Sequence, residues 1–266
     1  MASRRAIVAA IIIVTVLGSL ALGPPSVPTS GAWALAREVM AAAVQPAMVH
    51  QTEVPSDAPP LLWRVAAAAG RTVVFAAAAL GLSLVAGFGL GVAGSTGRAE
   101  RETRLRRWIG RAARLVSAGL RSVHELLWAA LLLAAVGSPP WVAMVAIALP
   151  FAGAFGKVFG EQLDEVDDRA GRVLRAAGVP RSLAFGMGIL PAAAPGLIAY
   201  AFYRFECAVR SAAVIGFFGV PTLGAEIITA FNASQYGEMW TAVYAVVLVS
   251  IGVEWWSAAV RRRLAA

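Results

Sequence analysis

Most of what soluble enzymes are built from is scarce in this sequence. Of 266 residues only 14% are charged, two are His and one is Cys, and of 23 basic residues all but Lys157 are Arg. A lone Cys207 excludes an internal disulfide and leaves the redox compartment unread. His50 and His124 have no Cys or carboxylate cluster around them, so no metal constellation and no cofactor is expected. The glycine-rich stretches "GLSLVAGFGLGVAG" (81–94) and "GAFGKV" (153–158) lack the closing Lys and Ser or Thr of a phosphate-cradling loop. The chain is therefore expected to hold no ATPase site and to be no enzyme; any nucleotide motor must be a separate chain. No internal repeat and no second soluble domain is visible.

What is present is hydrocarbon. Hydrophobic residues make up 59% of the chain and the mean hydropathy is +0.72, far above an average soluble domain. Apolar runs of eighteen residues or more are long enough to cross about 30 Å of bilayer as helices. Six such spans are read, at 6–23, 68–94, 115–136, 140–160, 189–216 and 238–260. A membrane barrel would show ten-residue segments of alternating polarity, which these runs do not. The fold class is all-α, a polytopic membrane protein with about six transmembrane helices.

The arginines are unevenly placed. The stretch 96–114, "TGRAERETRLRRWIGRAAR", carries seven, the loop 161–188 four, and the tail Arg261, Arg262 and Arg263, whereas 24–63 and 217–237 hold one between them. By the positive-inside rule this puts both termini and the Arg-rich loops in the cytoplasm. The stretch 96–114 reads as a topology determinant, with an anionic-lipid or nucleic-acid patch as the alternative; no nucleic-acid partner is expected. Arg4, Arg5 and "ALA" at 34–36 resemble a signal peptide, but the 18-residue apolar stretch exceeds a usual signal core and is read as an uncleaved first helix.

Two domains are drawn, 1–64 for the first helix and an outer segment, and 65–266 for the core. Within 24–63, "ALAREVMAAAV" is expected as a short surface helix. Gly87 and Gly91 follow the small-xxx-small spacing of close helix packing. "GSPP" (137–140) makes a tight outer hairpin. The inner loop "EQLDEVDDRAGRVLRAAGVPRSLAFGMGILP" (161–191) mixes five acids with four Arg and breaks at Gly178 and Pro180. It is read as a short helix at about 164–177, a turn and a second short helix from 180, forming a docking element.

Charge inside a spanning helix costs about 2.5–3.5 kcal/mol per group on insertion scales, so it is kept where it has a partner or a watery path. Arg204, Glu206 and Arg210 fall in the fifth span. Glu206 and Arg210 are four apart, share a face and can pair, which places them either as interhelical glue or on a path for an anion. Counting from residue 189 puts Glu206 about 25 Å up, in the outer half of the bilayer. In the third span Arg121 and Glu125 are likewise four apart, with His124 beside them in either a packing or a proton-relay role. Together these sets read as a polar seam along a translocation path.

At these residues the chain resembles the permease subunits of binding-protein-dependent ABC importers, and among them the phosphonate-type permeases. "YRFECAVRSAAVIGFFG" is similar to the subfamily's Tyr-Arg-Phe-Glu … Val-Arg-Ser-Ala signature, and "HELLWAALL" to its Pro-Glu-Leu-Val/Leu-Trp segment, with His124 in place of the Pro. The inner loop resembles the Glu-Ala-Ala coupling motif that seats in an ATPase. Gly178, Leu190 and Pro191 match at the right spacing, while Arg172 stands for the Glu, Val173 and Leu174 for the Ala pair, and Gly188 for the Ile. Leu174, Arg175 and Ala176 fit the phosphonate-type variant. "GVPTLGAEI" (219–227) keeps Gly219, Gly224 and Glu226 but has Pro221 and Thr222 where relatives show Gly-Gly.

The resemblance implies a type I importer permease fold, a pathway for phosphonate or a related oxyanion through Arg204, Glu206, Arg210, Glu125 and His124, and ATPase coupling through Arg172, Leu174, Arg175, Ala176, Gly178, Leu190 and Pro191. The implied partners are two cytoplasmic ATPase subunits, a second permease copy or paralogue, an extracytoplasmic substrate-binding protein and membrane lipid. The alternatives are an ABC permease for another small solute such as phosphate, phosphite or an amino acid, or a membrane transporter or scaffold outside the ABC class.

Overall fold

A computed structural model describes residues 2–21, 30–52, 55, 57–95, 103–137 and 139–265. The chain divides into two compact units, Met1–Val44 and Gln45–Ala266. The first holds α1 (Ala2–Ala21) and α2 (Ser30–Val44). Ile7, Ile11, Ile12 and Val14 of α1 are exposed, and its described apolar stretch is Ala6–Ser19. Residues 22–23, where the first expected span ends, lie outside the described residues. The short helix expected from "ALAREVMAAAV" is α2.

The second unit carries α3 (Leu61–Gly94), α4 (Arg104–Ser122), α5 (Glu125–Val136), α6 (Pro140–Glu165), α7 (Arg169–Ala176) and α8 (Arg181–Ala184). A π-helical turn, Phe185–Ile189, leads into α9 (Leu190–Ile215), and a 3₁₀ turn, Gly216–Phe218, into α10 (Leu223–Asn232) and α11 (Tyr236–Ala265). No strand occurs among the described residues. Four helical stretches there, Leu61–Gly94, Pro140–Glu165, Arg181–Asn232 and Tyr236–Arg263, are long and apolar enough to cross a membrane, and α4 with α5 makes a fifth if the bent pair is one span.

That bend is a departure from expectation. The span read at 115–136 is two helices meeting at 85°. Val123 is extended (φ −105°, ψ 129°), and the His124 ring caps α5 by accepting from the Leu126 N–H at 3.3 Å. A polar cap residue satisfies a free N–H that a continuous helix would not have. Arg121 and Glu125 thus belong to different helices and do not share a face.

Glycine decides where the helices meet. α6 lies at the centre, with small residues facing both neighbours. A Cβ at Gly87 of α3 would strike the Cβ of Phe155, and one at Gly91 would come within 2.9 Å of the Phe159 Cβ and 3.1 Å of the Gly160 nitrogen. On the other side, Gly153 would meet the Leu120 Cβ at 2.9 Å and the Arg121 nitrogen at 3.0 Å. Close backbone approach is how helices without a hydrophobic driving force between them associate in lipid. A core of Phe75, Ala79, Ile147, Phe151, Val209 and Ile215 fills the space among α3, α6 and α9.

At the other end of α3 a charged clamp holds the segment before it. Glu238, 2% exposed at the start of α11, accepts from Arg64 Nη2 at 3.0 Å and from the Gln51 backbone N–H at 2.7 Å. Arg64 Nε reaches Glu226 Oε2 at 3.0 Å. Arg71 lies 3.8 Å from the same carboxylate and donates to the Pro221 carbonyl at 2.7 Å. Two cations thus face two carboxylates, and the buried Glu238 is not left without an opposite charge.

A Val at Gly87 should overpack the α3–α6 contact and cost about 3 kcal/mol. Gly89→Val, on the same helix with nothing within 4 Å, should leave the thermal midpoint of the purified protein nearly unchanged. Equal losses at both positions would show that the glycine contact does not set the packing.

Candidate functional site

The candidate residues fall into two groups: the polar residues between the membrane helices, and the loop between α6 and α9. Arg204 lies against aromatic rings. Its guanidinium lies 4.6 Å from the Phe151 ring centroid and 5.7 Å from that of Tyr200, and its Nε donates to the Tyr200 hydroxyl at 3.1 Å. Tyr200 in turn meets Phe155 edge-on at 5.5 Å. A cation on aromatic faces keeps its charge at lower desolvation cost than one in aliphatic surroundings.

Glu206 does not pair with Arg210. Its Oε1 takes Arg261 Nη1 at 2.6 Å, and the same nitrogen bonds the Ser257 hydroxyl. The intrahelical pairing read from the spacing is replaced by a tie between α9 and α11, because an interhelical partner can satisfy a carboxylate that a helix neighbour, with its own backbone to bond, does not. Arg210 folds onto its own helix instead, Nε to the Glu206 carbonyl at 3.4 Å, and is exposed. Arg261 stands near the C-terminal end of α11, so Glu206 lies level with that Arg-rich end.

Glu125 heads α5 and accepts from the Ser211 hydroxyl of α9 at 2.8 Å, while His124 Nε2 stands 3.5 Å from its other oxygen. The expected polar residues therefore fall into three places: Arg204 on Phe151, Glu206 on Arg261, and Glu125 with His124 on Ser211. Arg210 stands on an exposed stripe of α9 with Tyr203 and Val214, which Phe217 of the following 3₁₀ turn, also exposed, continues. Arg261 had been readable only as a tail charge; its role needs the α9–α11 packing.

The inner loop is a braced unit. α6 runs on to Glu165, so the expected helix at 164–177 is shorter, α7 at Arg169–Ala176. Asp168, 1% exposed just before α7, takes Arg175 Nη2 at 2.6 Å. Gly178 closes the helix in the left-handed region (φ +83°), with Gly178 N–H donating to the Arg175 carbonyl and Val179 N–H to that of Leu174. That is the Schellman pattern, where glycine adopts positive φ without strain. Leu174 and Arg175 are half-buried, whereas Arg172, Val173 and Ala176 are exposed. Gly188, in the π turn, lies backbone to backbone on α7: a Cβ there would come within 2.8 Å of the Gly171 nitrogen and 3.0 Å of its Cα. Leu190 and Pro191 then open α9. α7 is thus fastened directly to the root of a membrane helix.

Residues 86–266 match the model of the binding-protein-dependent transport system inner membrane component. The chain belongs to this family. Among curated relatives of this inner membrane component, it is 31% identical over 153 residues to a putative phosphite transport system permease protein, HtxE, of Stutzerimonas stutzeri, covering 58% of the chain and 59% of that protein. It is 32% identical over 139 residues to the phosphite transport system permease protein PtxC of the same organism, covering 52% and 50%. Identity to the phosphate-import permease protein PhnE of Mycolicibacterium smegmatis is 28% over 152 residues, 57% and 29% of the two chains. The chain thus spans about half the length of the curated relatives it matches. In fold it is similar to a chain of the inward-facing MetNI methionine ABC transporter, with TM-score 0.65 and 19% identity over 78% of this chain and 99% of that one. A chain of an amino acid ABC transporter gives 0.63 at 14% identity, over 76% and 94%. The expected importer-permease fold is the one observed.

The chain departs at Gly188 from the Glu-Ala-Ala motif that it resembles, and the structure gives the reason: a Cβ there would come within 2.8 Å of the Gly171 nitrogen, so the π turn sits on Gly171 only without one. Gly188→Ile, which restores the motif, should therefore destabilise the protein by about 1–3 kcal/mol, read as a lower thermal midpoint. An unchanged midpoint would mean that the α7 contact is loose.

Proposed function

We propose that the chain is the permease subunit of an importer for phosphonate or a related oxyanion such as phosphite or phosphate. The observation that carries this reading is Arg210: with Arg204 held on Phe151 and Glu206 neutralised by Arg261, the signature region keeps one exposed cation on an exposed stripe of α9. The names of the relatives, phosphite, phosphate and phosphonate permeases, agree with an anionic cargo. A second copy or a paralogue packs against the α9 stripe, so that the path runs between the two subunits with Arg210 facing it, and Glu125 with His124 near its wall.

A secreted binding protein delivers the anion at the face bearing the Arg64–Glu238 clamp, and both termini lie in the cytoplasm. ATPase subunits seat on the exposed face of α7 at Arg172, Val173 and Ala176. Their closure moves α7, and the Gly171–Gly188 contact passes that displacement to α9 because two backbones in van der Waals contact cannot slide without moving together. Arg175 serves this by holding Asp168, so it braces the loop and does not itself meet the ATPase.

Arg210→Gln should reduce phosphite or phosphonate uptake at least about tenfold while the ATPase subunits still co-purify; full uptake would overturn the assignment. Arg172→Glu should weaken ATPase capture and leave the thermal midpoint unchanged, whereas Arg175→Glu, which sets a second anion against Asp168, should lower the midpoint itself. Equal effects of the two on stability would contradict the division of roles.

A further inference from the structure

The helix α4 has no place in that reading, yet it is the most charged helix of the chain. Its 19 residues include six Arg and no carboxylate, which excludes it from hydrocarbon. It turns 85° away from α5, and α5 alone, at 12 residues, spans only about 18 Å. Two of its arginines fix its depth. Arg106 donates to the carbonyls of Ala93 at 2.8 Å and Val92 at 3.0 Å, and Arg114 to that of Gly94 at 2.6 Å. These are the last free carbonyls of α3, which cations at a helix C-terminus satisfy. α4 is therefore tied to the point where a membrane helix leaves the bilayer.

The remaining surface falls into three sectors at helical spacing. Gly110, Ala113 and Ser117 are buried against α3 and α6. A second sector, Leu105, Trp108, Ile109, Leu115 and Val116, is apolar and exposed, with Trp108 67% and Leu115 73% accessible. Between them lies a third, Arg104, Arg107, Arg111 and Arg121, all exposed, none of them paired with a carboxylate among the described residues. Arg111 stands 5.7 Å from the Trp108 ring, at the seam of the apolar and cationic sectors. An apolar stripe beside an arginine stripe, with Trp at their border, is the pattern of a helix lying in a membrane interface.

We propose that α4 is an interfacial helix that binds anionic lipid, its Leu105–Trp108–Leu115 stripe lying among acyl chains and Arg104, Arg107 and Arg111 holding phosphate headgroups at the foot of α3. The proposal is independent of the transported solute. A soluble protein partner could meet the arginines but would leave the neighbouring apolar stripe uncovered, whereas a bilayer meets both.

The full chain is extracted in mild detergent from vesicles of equal phosphatidylglycerol and phosphatidylcholine, and the lipid that stays with it is measured by mass spectrometry. Wild type should retain phosphatidylglycerol over phosphatidylcholine by at least about fivefold, since each arginine at an anionic surface favours binding by about that factor. R104Q/R107Q/R111Q should bring the ratio close to one, and R104K/R107K/R111K should keep it. The proposal is overturned if wild type shows no preference, if the Gln variant retains the wild-type ratio, or if the Lys variant loses it. It is equally overturned if the Gln variant loses capture of cytoplasmic partner subunits while its lipid ratio stays at the wild-type value, which would assign the arginines to a protein.

Discussion

Everything in the core depends on how closely backbones approach α6. Gly87 and Gly91 on α3 and Gly153 and Gly156 on α6 have neighbours where a Cβ would have to go, so the three helices α3, α4 and α6 meet at distances that no larger residue permits. In lipid the hydrophobic effect does not distinguish helix–helix from helix–lipid contact, and van der Waals contact over long, close seams must supply the difference. Once α6 is gripped on two sides, Phe151 and Phe155 are fixed in space, and the surfaces on which Arg204 and Tyr200 rest are fixed with them.

The second constraint is that charge within the bundle be matched. Arg204 uses aromatic faces, Glu206 uses Arg261, Glu125 uses Ser211, and Glu238 uses Arg64. Each of these also joins two elements distant in sequence, so the charges that a bilayer would exclude become ties between helices. A matched buried pair adds little net stability, but breaking one leaves an uncompensated ion. This is why the exceptions are informative. Arg210 within the bundle and the outward arginines of α4 have no carboxylate partner among the described residues, and both sit on exposed faces, where a molecule outside the chain can meet them.

Apolar length made the membrane helices legible, and small-residue spacing made the Gly87 and Gly91 seam legible, because both follow from local rules. The break at His124 was not, since "SVHELL" is apolar enough to continue a helix and only the cap geometry shows that it stops. Side-chain partners were the least legible. Glu206 and Arg210 have helix spacing for a pair, but a nearer and better-placed cation arrives from α11, 55 residues on, and spacing within one helix carries no information about what lies opposite.

The loop between α6 and α9 departs from the motif it resembles, yet its residues hold one another in a defined geometry. Arg172 stands where the resembled pattern has Glu, and the carboxylate that organises α7 comes four residues earlier, from Asp168, with Arg175 closing the contact across the helix. Gly171 makes room for that ion pair, since a Cβ on it would strike Asp168 Oδ1. The same bare Gly171 backbone then receives Gly188, so one missing side chain accommodates both the brace within α7 and the seat of α7 on the π turn. A side chain at Gly171 would strike the ion pair, and one at Gly188 would strike the Gly171 backbone. Charge at 168, glycine at 171 and glycine at 188 therefore meet at one residue, Gly171, and the departure from the motif at Gly188 falls where α7 touches the root of α9.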